Sequence, residues 1–158
     1  VTAINIARFL HLFCLLIWQG SLIFFTFFAA PAIFKTLPRE GAGDVVGRIF
    51  PRYWAMGYVG SAVSLISLLY LSYQAHIYPR QRLILLVVMT IVTFYSGLSV
   101  GKKARALKAR LRTASTGPEK DDLQRRFKKI HAISASLNLL VFVLGVFLVY
   151  FTSMDLVP

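Results

Sequence analysis

Four stretches of this chain contain no Asp, Glu, Lys or Arg: Phe9 to Phe34, Tyr53 to Pro79, Leu83 to Gly101, and Ile130 to Met154. Each can cross a hydrocarbon layer of roughly 30 Å as a helix rising about 1.5 Å per residue. The pattern predicts an all-α integral membrane bundle of four transmembrane helices in a single domain. The spans are expected over about residues 5–34, 52–78, 82–104 and 128–153. Even the connections read as helix. Val45, Val46, Ile49 and Phe50 alternate with Asp44 and Arg48, which predicts a short amphipathic helix lying in the interface over residues 42–50. Pro51 is then the first residue of span two. Ala104, Ala106, Leu107, Ala109 and Leu111 carry span three beyond the membrane, until Ser115-Thr116-Gly117-Pro118 breaks it. Thr116 or Gly117 caps a new helix that opens with Glu119, Asp121 and Asp122 and runs into span four. The third connection is therefore a helical hairpin. The short connection Tyr78-Pro79-Arg80-Gln81 makes spans two and three antiparallel neighbours.

Composition agrees: 57% of residues are hydrophobic and only 15% charged, too few charges for a soluble domain of this size. The net charge of +12 would suit a nucleic-acid partner in a soluble protein. Its distribution excludes that reading. Lys35, Arg39, Arg48 and Arg52 lie in the first connection; eleven more, from Lys102 to Lys129, lie in the third. Both connections fall on one side of the membrane, which the positive-inside rule makes cytoplasmic. The expected placement is a bacterial inner membrane, with both termini outside and the basic hairpin against anionic lipid headgroups. The lone cysteine, Cys14, excludes an intrachain disulfide. Arg8 ahead of an apolar run resembles a signal peptide, but the run is too long, and an uncleaved span is expected.

Chemistry must come from the few polar residues at membrane depth. His11, Cys14 and Trp18 share one helical face at i, i+3 and i+7. His and Cys one turn apart are candidates for a soft metal or a haem; equally, His11 ties to a neighbouring helix while Cys14 packs as a small apolar residue. Of the other histidines, His76 is expected nearer His11 in depth than His131, making His11 with His76 the better pair for a metal. His131, Ser134 and Asn138 share a second face, as a ligand-facing strip or as interhelical hydrogen bonding. Gly57, Gly60, Ser61, Ser64 and Ser67 in span two, with Gly97 and Gly101 in span three, are small residues that let another helix approach closely. No carboxylate lies within a span, and Gly41 to Gly47 lacks the ending of a phosphate loop. An enzyme is not expected.

His11-Leu12, Trp18-x-Gly20, the aromatic run to Pro31, Phe34, Leu37-Pro38-Arg39, Gly43, Phe50-Pro51-x-Tyr53, and His131 with Asn138-Leu139 together resemble the transmembrane protein 205-like family. The resemblance implies a small four-helix membrane protein whose bacterial branch is described as a domain of unknown function. The opening pattern of His, Trp and Gly is also similar to copper-resistance D-like proteins and to the membrane-bound protoporphyrinogen oxidase of bacteria. That likeness implies haem or copper on His11, with Cys14 or His76. Three functions follow as expectations. The first is binding or moving a small ligand through a polar seam of His11, Trp18 and Asn138. The second is an accessory subunit, or a homo-oligomer, packing through the small-residue faces. The third is haem or copper binding.

Overall fold

The computed structural model describes residues 2–154. They form four long helices: α1, Ala3–Thr36; α2, Arg39–Ala75; α3, Arg80–Thr113; and α4, Pro118–Met154. All four are long and apolar enough to cross a membrane. In lipid a backbone N–H or C=O without a partner costs several kcal/mol, so a spanning chain keeps its hydrogen bonds within continuous helices. The breaks accordingly fall at the ends. Leu37-Pro38 separates α1 from α2. His76, at a left-handed φ of 51°, ends α2, and its backbone N–H bonds back to Tyr73. Gly117, at φ 139°, turns the chain into Pro118, the first residue of α4.

Two prolines lie inside helices, Pro51 among them, the expected first residue of span two. Pro31 neither ends α1 nor stands alone: a π-helical turn, Phe25–Ala29, precedes it. The wider turn absorbs the register change that the missing N–H imposes. Pro51 sits within the 37 residues of α2, so span two does not begin there. The separate interfacial helix over residues 42–50 is likewise corrected. Those residues are the first turns of α2, and their apolar face finds protein rather than lipid: Ala42 is fully buried and Val46 is 7% exposed. A second π-helical turn, Ser96–Val100, lies within α3.

α1 packs along α2, α2 along α3, and α3 along α4, while α1 and α4 touch more sparsely. The α1–α2 contact has a regular antiparallel register. His11 meets Ser64, Trp18 meets Gly57, and Phe25 meets Phe50. Each step of seven along α1 moves the contact seven residues back along α2, the repeat of a left-handed helix pair. The predicted small residues are what let the pair close. A Cβ on Gly60 would lie 2.9 Å from the Trp18 Cβ and 3.3 Å from the Cys14 carbonyl oxygen. Gly97 on α3 makes room for aromatic rings instead: the Tyr58 ring and the Trp54 indole occupy the space beside it.

Because α2 and α4 span 37 residues, about 55 Å each, they outrun a hydrocarbon layer by roughly 25 Å. The connections place this excess at the end where α3 turns into α4. There the starts of α2 and α4 and the end of α3 form a projecting basic stalk. Replacing Gly60 by Leu should lower stability by about 1–3 kcal/mol, because the atoms it would meet lie close to the backbone. Gly20→Leu, with open space around it, should not. Thermal unfolding of both variants in detergent checks this.

Candidate functional site

The seam between α1 and α2 holds the buried histidine. His11 is 3% exposed, and its Nδ1 lies 2.9 Å from the Ser64 carbonyl oxygen. A carbonyl only accepts, so Nδ1 carries the proton and donates. Ser64, fully buried, returns a longer bond of 3.4 Å from its hydroxyl to the His11 carbonyl. Ser61 is also fully buried on this face. His11 and Ser64 tie two helices of the same bundle, while the Ser61 hydroxyl donates to Tyr58 within α2.

Two turns further along α1, Trp18 and Asn138 line a common cavity with Leu22, Tyr53, Trp54, Gly57, Thr93 and Val141. The cavity measures about 10 Å³, the room that a single water needs. His11 is not among its walls. The predicted seam of His11, Trp18 and Asn138 is thus divided: Trp18 and Asn138 come together, and His11 faces Ser64. Ser134 is half-buried on the Asn138 face. His131 is exposed and stacks on Phe127 at 6.3 Å between ring centres.

Among the described residues, three buried polar atoms have no hydrogen-bond partner: His11 Nε2, Gln19 Nε2 and Ser96 Oγ. The sequence reading passed over Gln19, although a neutral amide in the middle of an apolar span was the available signal. Gln19 fills the space over Gly145, at the sparse contact between α1 and α4: a Cβ there would lie 2.2 Å from the amide oxygen. Phe25, Phe50, Tyr53, Trp54, Tyr58 and Phe94 form a chain of ring contacts below the cavity, at 4.7–6.5 Å between centres. The two π-helical turns flank it from α1 and α3.

The proposed metal ligands do not converge. His11 is level with Ser64, whereas His76 is twelve residues further along α2, about 18 Å away along the axis. Pairing His11 with His76 is therefore corrected. Cys14 is half-buried at the Gly60 crossing. Among the described residues, no group of three His, Cys, Asp or Glu side chains could hold a metal ion. A 10 Å³ cavity also has no slot for a macrocycle. These residues do not fit a haem or copper site.

The stalk contains an ion-pair cluster that crosses the two basic connections. Asp44 on α2 accepts from Lys108 Nζ at 2.7 Å and from Arg112. Gly43 and Gly47 form the floor on which the Lys108 ammonium lies: a Cβ on either would be 3.3 or 3.7 Å from Nζ. Within α2, Gly43 and Gly47 are a cradle for a lysine. The bond from Lys108 holds the Asp44 carboxyl below the usual carboxylate range, and Arg112 adds to this.

Residues 13–113 match the family described as a domain of unknown function, DUF4149. The chain belongs to this family. The matched segment takes in Trp18, the glycine face of α2, Asp44 and Lys108, and stops at the end of α3. His11 and all of α4, with Asn138 and Gly145, lie outside it. An "Uncharacterized protein" of Aquifex aeolicus (strain VF5) is 45% identical over 42 residues, which cover 27% of this chain and 32% of that one. The chain thus spans about a third of the length of this relative. No solved structure matches. Fold and family agree on a multi-pass membrane protein.

His11→Ala should destabilise the bundle by about 1–3 kcal/mol, through a lost buried hydrogen bond and the space left behind. Detergent melting measures it. A carboxylate with a depressed pKa stabilises above its ordinary titration range and loses that contribution as pH falls through the folded value. Asp44→Asn should therefore melt below the parent at neutral pH, and the difference should vanish once pH falls well below about 4. Paired melting curves from neutral to acid pH test the sign.

Proposed function

We propose that this family member is an accessory membrane protein that works through its surfaces, holding a basic helical platform against anionic lipid headgroups. The observation that carries this reading is the stalk. Three helices run on past the hydrocarbon layer at one end, and the Asp44 cluster ties two of them together. Lys102, Lys103, Arg105, Arg125, Arg126, Lys128 and Lys129 are left exposed around it. Each basic group near an anionic surface contributes roughly 1 kcal/mol. In the orientation that follows from the basic connections, the stalk is cytoplasmic and both termini lie outside, in a bacterial inner membrane. The likeness to transmembrane protein 205-like proteins supports the same four-helix frame. No catalytic role is proposed.

Packing against a partner through Gly57, Ser61, Ser64 and Gly97 does not survive, because the bundle buries that surface itself. A partner, whether a second copy or another membrane protein, would dock on the outer faces or the stalk.

A second reading, small-ligand binding, is favoured by one observation: Asn138 faces the cavity, and buried Gln19 Nε2 and Ser96 Oγ lack partners. A ligand would have to part α1 from α4, where contact is sparsest.

The headgroup reading is tested in nanodiscs. Thermal stability should rise when phosphatidylglycerol replaces phosphatidylcholine. Changing Lys102, Lys103, Lys128 and Lys129 together to Gln should abolish most of that rise. Equal stability in both lipids would refute the proposal.

A further inference from the structure

The interior cavity lies where all four helices meet, and each helix brings it a polar group. α1 supplies the Trp18 indole, α2 the Tyr53 hydroxyl, α3 the Thr93 hydroxyl and α4 the Asn138 amide. Trp18 is 3% exposed and Thr93 4%, so neither reaches lipid or bulk water. The two converge over one glycine: a Cβ on Gly57 would lie 3.0 Å from the Thr93 methyl and 3.5 Å from Trp18 Nε1. Other hydroxyls within the spans satisfy themselves on their own helix. Thr90 donates to Leu86, Thr152 to Leu148 and Ser72 to Leu68, each at 2.7 Å. Among the described residues, the side chains of Trp18, Tyr53, Thr93 and Asn138 make no hydrogen bond. Inside a membrane such groups are costly to leave without a partner.

We propose that the cavity is a binding site for one water molecule, which joins the four helices through Trp18, Tyr53, Thr93 and Asn138. A volume of about 10 Å³ admits one water and nothing larger. The chemistry of the lining selects among occupants of that size. An indole N–H only donates, so the occupant must accept, which excludes a metal cation. No Lys, Arg or His lines the cavity, so nothing there balances an anion. The hydroxyls and the amide both donate and accept, and a water answers each of them. Buried waters make about three hydrogen bonds to polar groups that otherwise lack partners, and four are present here. The water also supplies a polar link between α1 and α4, whose direct contact is sparse. This site is separate from the stalk and does not depend on the headgroup reading above.

The test is proton-detected solid-state NMR of the full chain in phosphatidylcholine bilayers, with the indole nitrogens labelled. The Trp18 indole proton should show a through-space cross-peak to water, although the ring is buried. Thr93→Val and Asn138→Leu each remove a polar partner while keeping most of the bulk, and each should lose the cross-peak. Loss in one of them is enough to support the site. Thr93→Val is close to isosteric and keeps the fold even if Asn138→Leu does not. Thr90→Val is the control: its hydroxyl bonds within α3 and does not line the cavity, so the cross-peak should remain. No Trp18 cross-peak in the parent protein, one that survives both replacements, or one lost equally in Thr90→Val overturns the proposal.

Discussion

Everything in this bundle is arranged around the close approach of α1 to α2. Inside a bilayer, lipid tails are as apolar as leucine, so helices gain little by merely hiding apolar surface from lipid. Association rests on backbone proximity, packing and interhelical hydrogen bonds. The α1–α2 seam combines all three within a few turns: Gly60 admits Trp18, Gly57 lies against the indole, and His11 donates to Ser64. With α1 fixed in that register, Trp18 forms one wall of the interior cavity, and Phe25 starts the aromatic chain that leads through Tyr53 and Trp54 to α3. The hydrogen bond itself is of modest strength. Its importance lies in selecting one of several possible registers between two smooth helices.

Much of this was legible in the sequence because a membrane imposes few solutions. Stretches without charge locate the spans, and their even number puts the termini at one end. Gly117-Pro118 marks the hairpin turn by backbone chemistry alone. What could not be read was the destination of each face. The stripe of His11, Cys14 and Trp18 shows that three side chains point one way, but nothing in it says that they point at Ser64 and Gly60. Small residues on α2 announce a close neighbour without saying whether that neighbour is α1 or another protein. Asp44 and Lys108 are 64 residues apart, and an acid in a basic connection carries no address. Pro51 and Gly43 to Gly47 look like punctuation. The start of α2 packs against the end of α1 and is tied to α3 through Asp44, and this overrides the local preference and keeps the helix intact.

The same packing bears on function. The interior cavity has room for one water, and its neighbouring histidine is held in a helix–helix bond. The proposed function rests on the stalk at one end, which organises positive charge through Asp44. The unpartnered amide of Gln19, at the sparse α1–α4 contact, marks where the bundle would open first if it takes a ligand.

The central claim is that His11 is a neutral, Nδ1-protonated tie between α1 and α2. Nitrogen chemical shifts of selectively labelled histidine, measured on the protein in bilayers, read it directly. The account predicts a His11 signal with protonated Nδ1 and bare Nε2, coupled to the Ser64 carbonyl and absent in His11→Ala. A His11 signal showing the Nε2-protonated tautomer, or both ring nitrogens protonated at neutral pH, would contradict it.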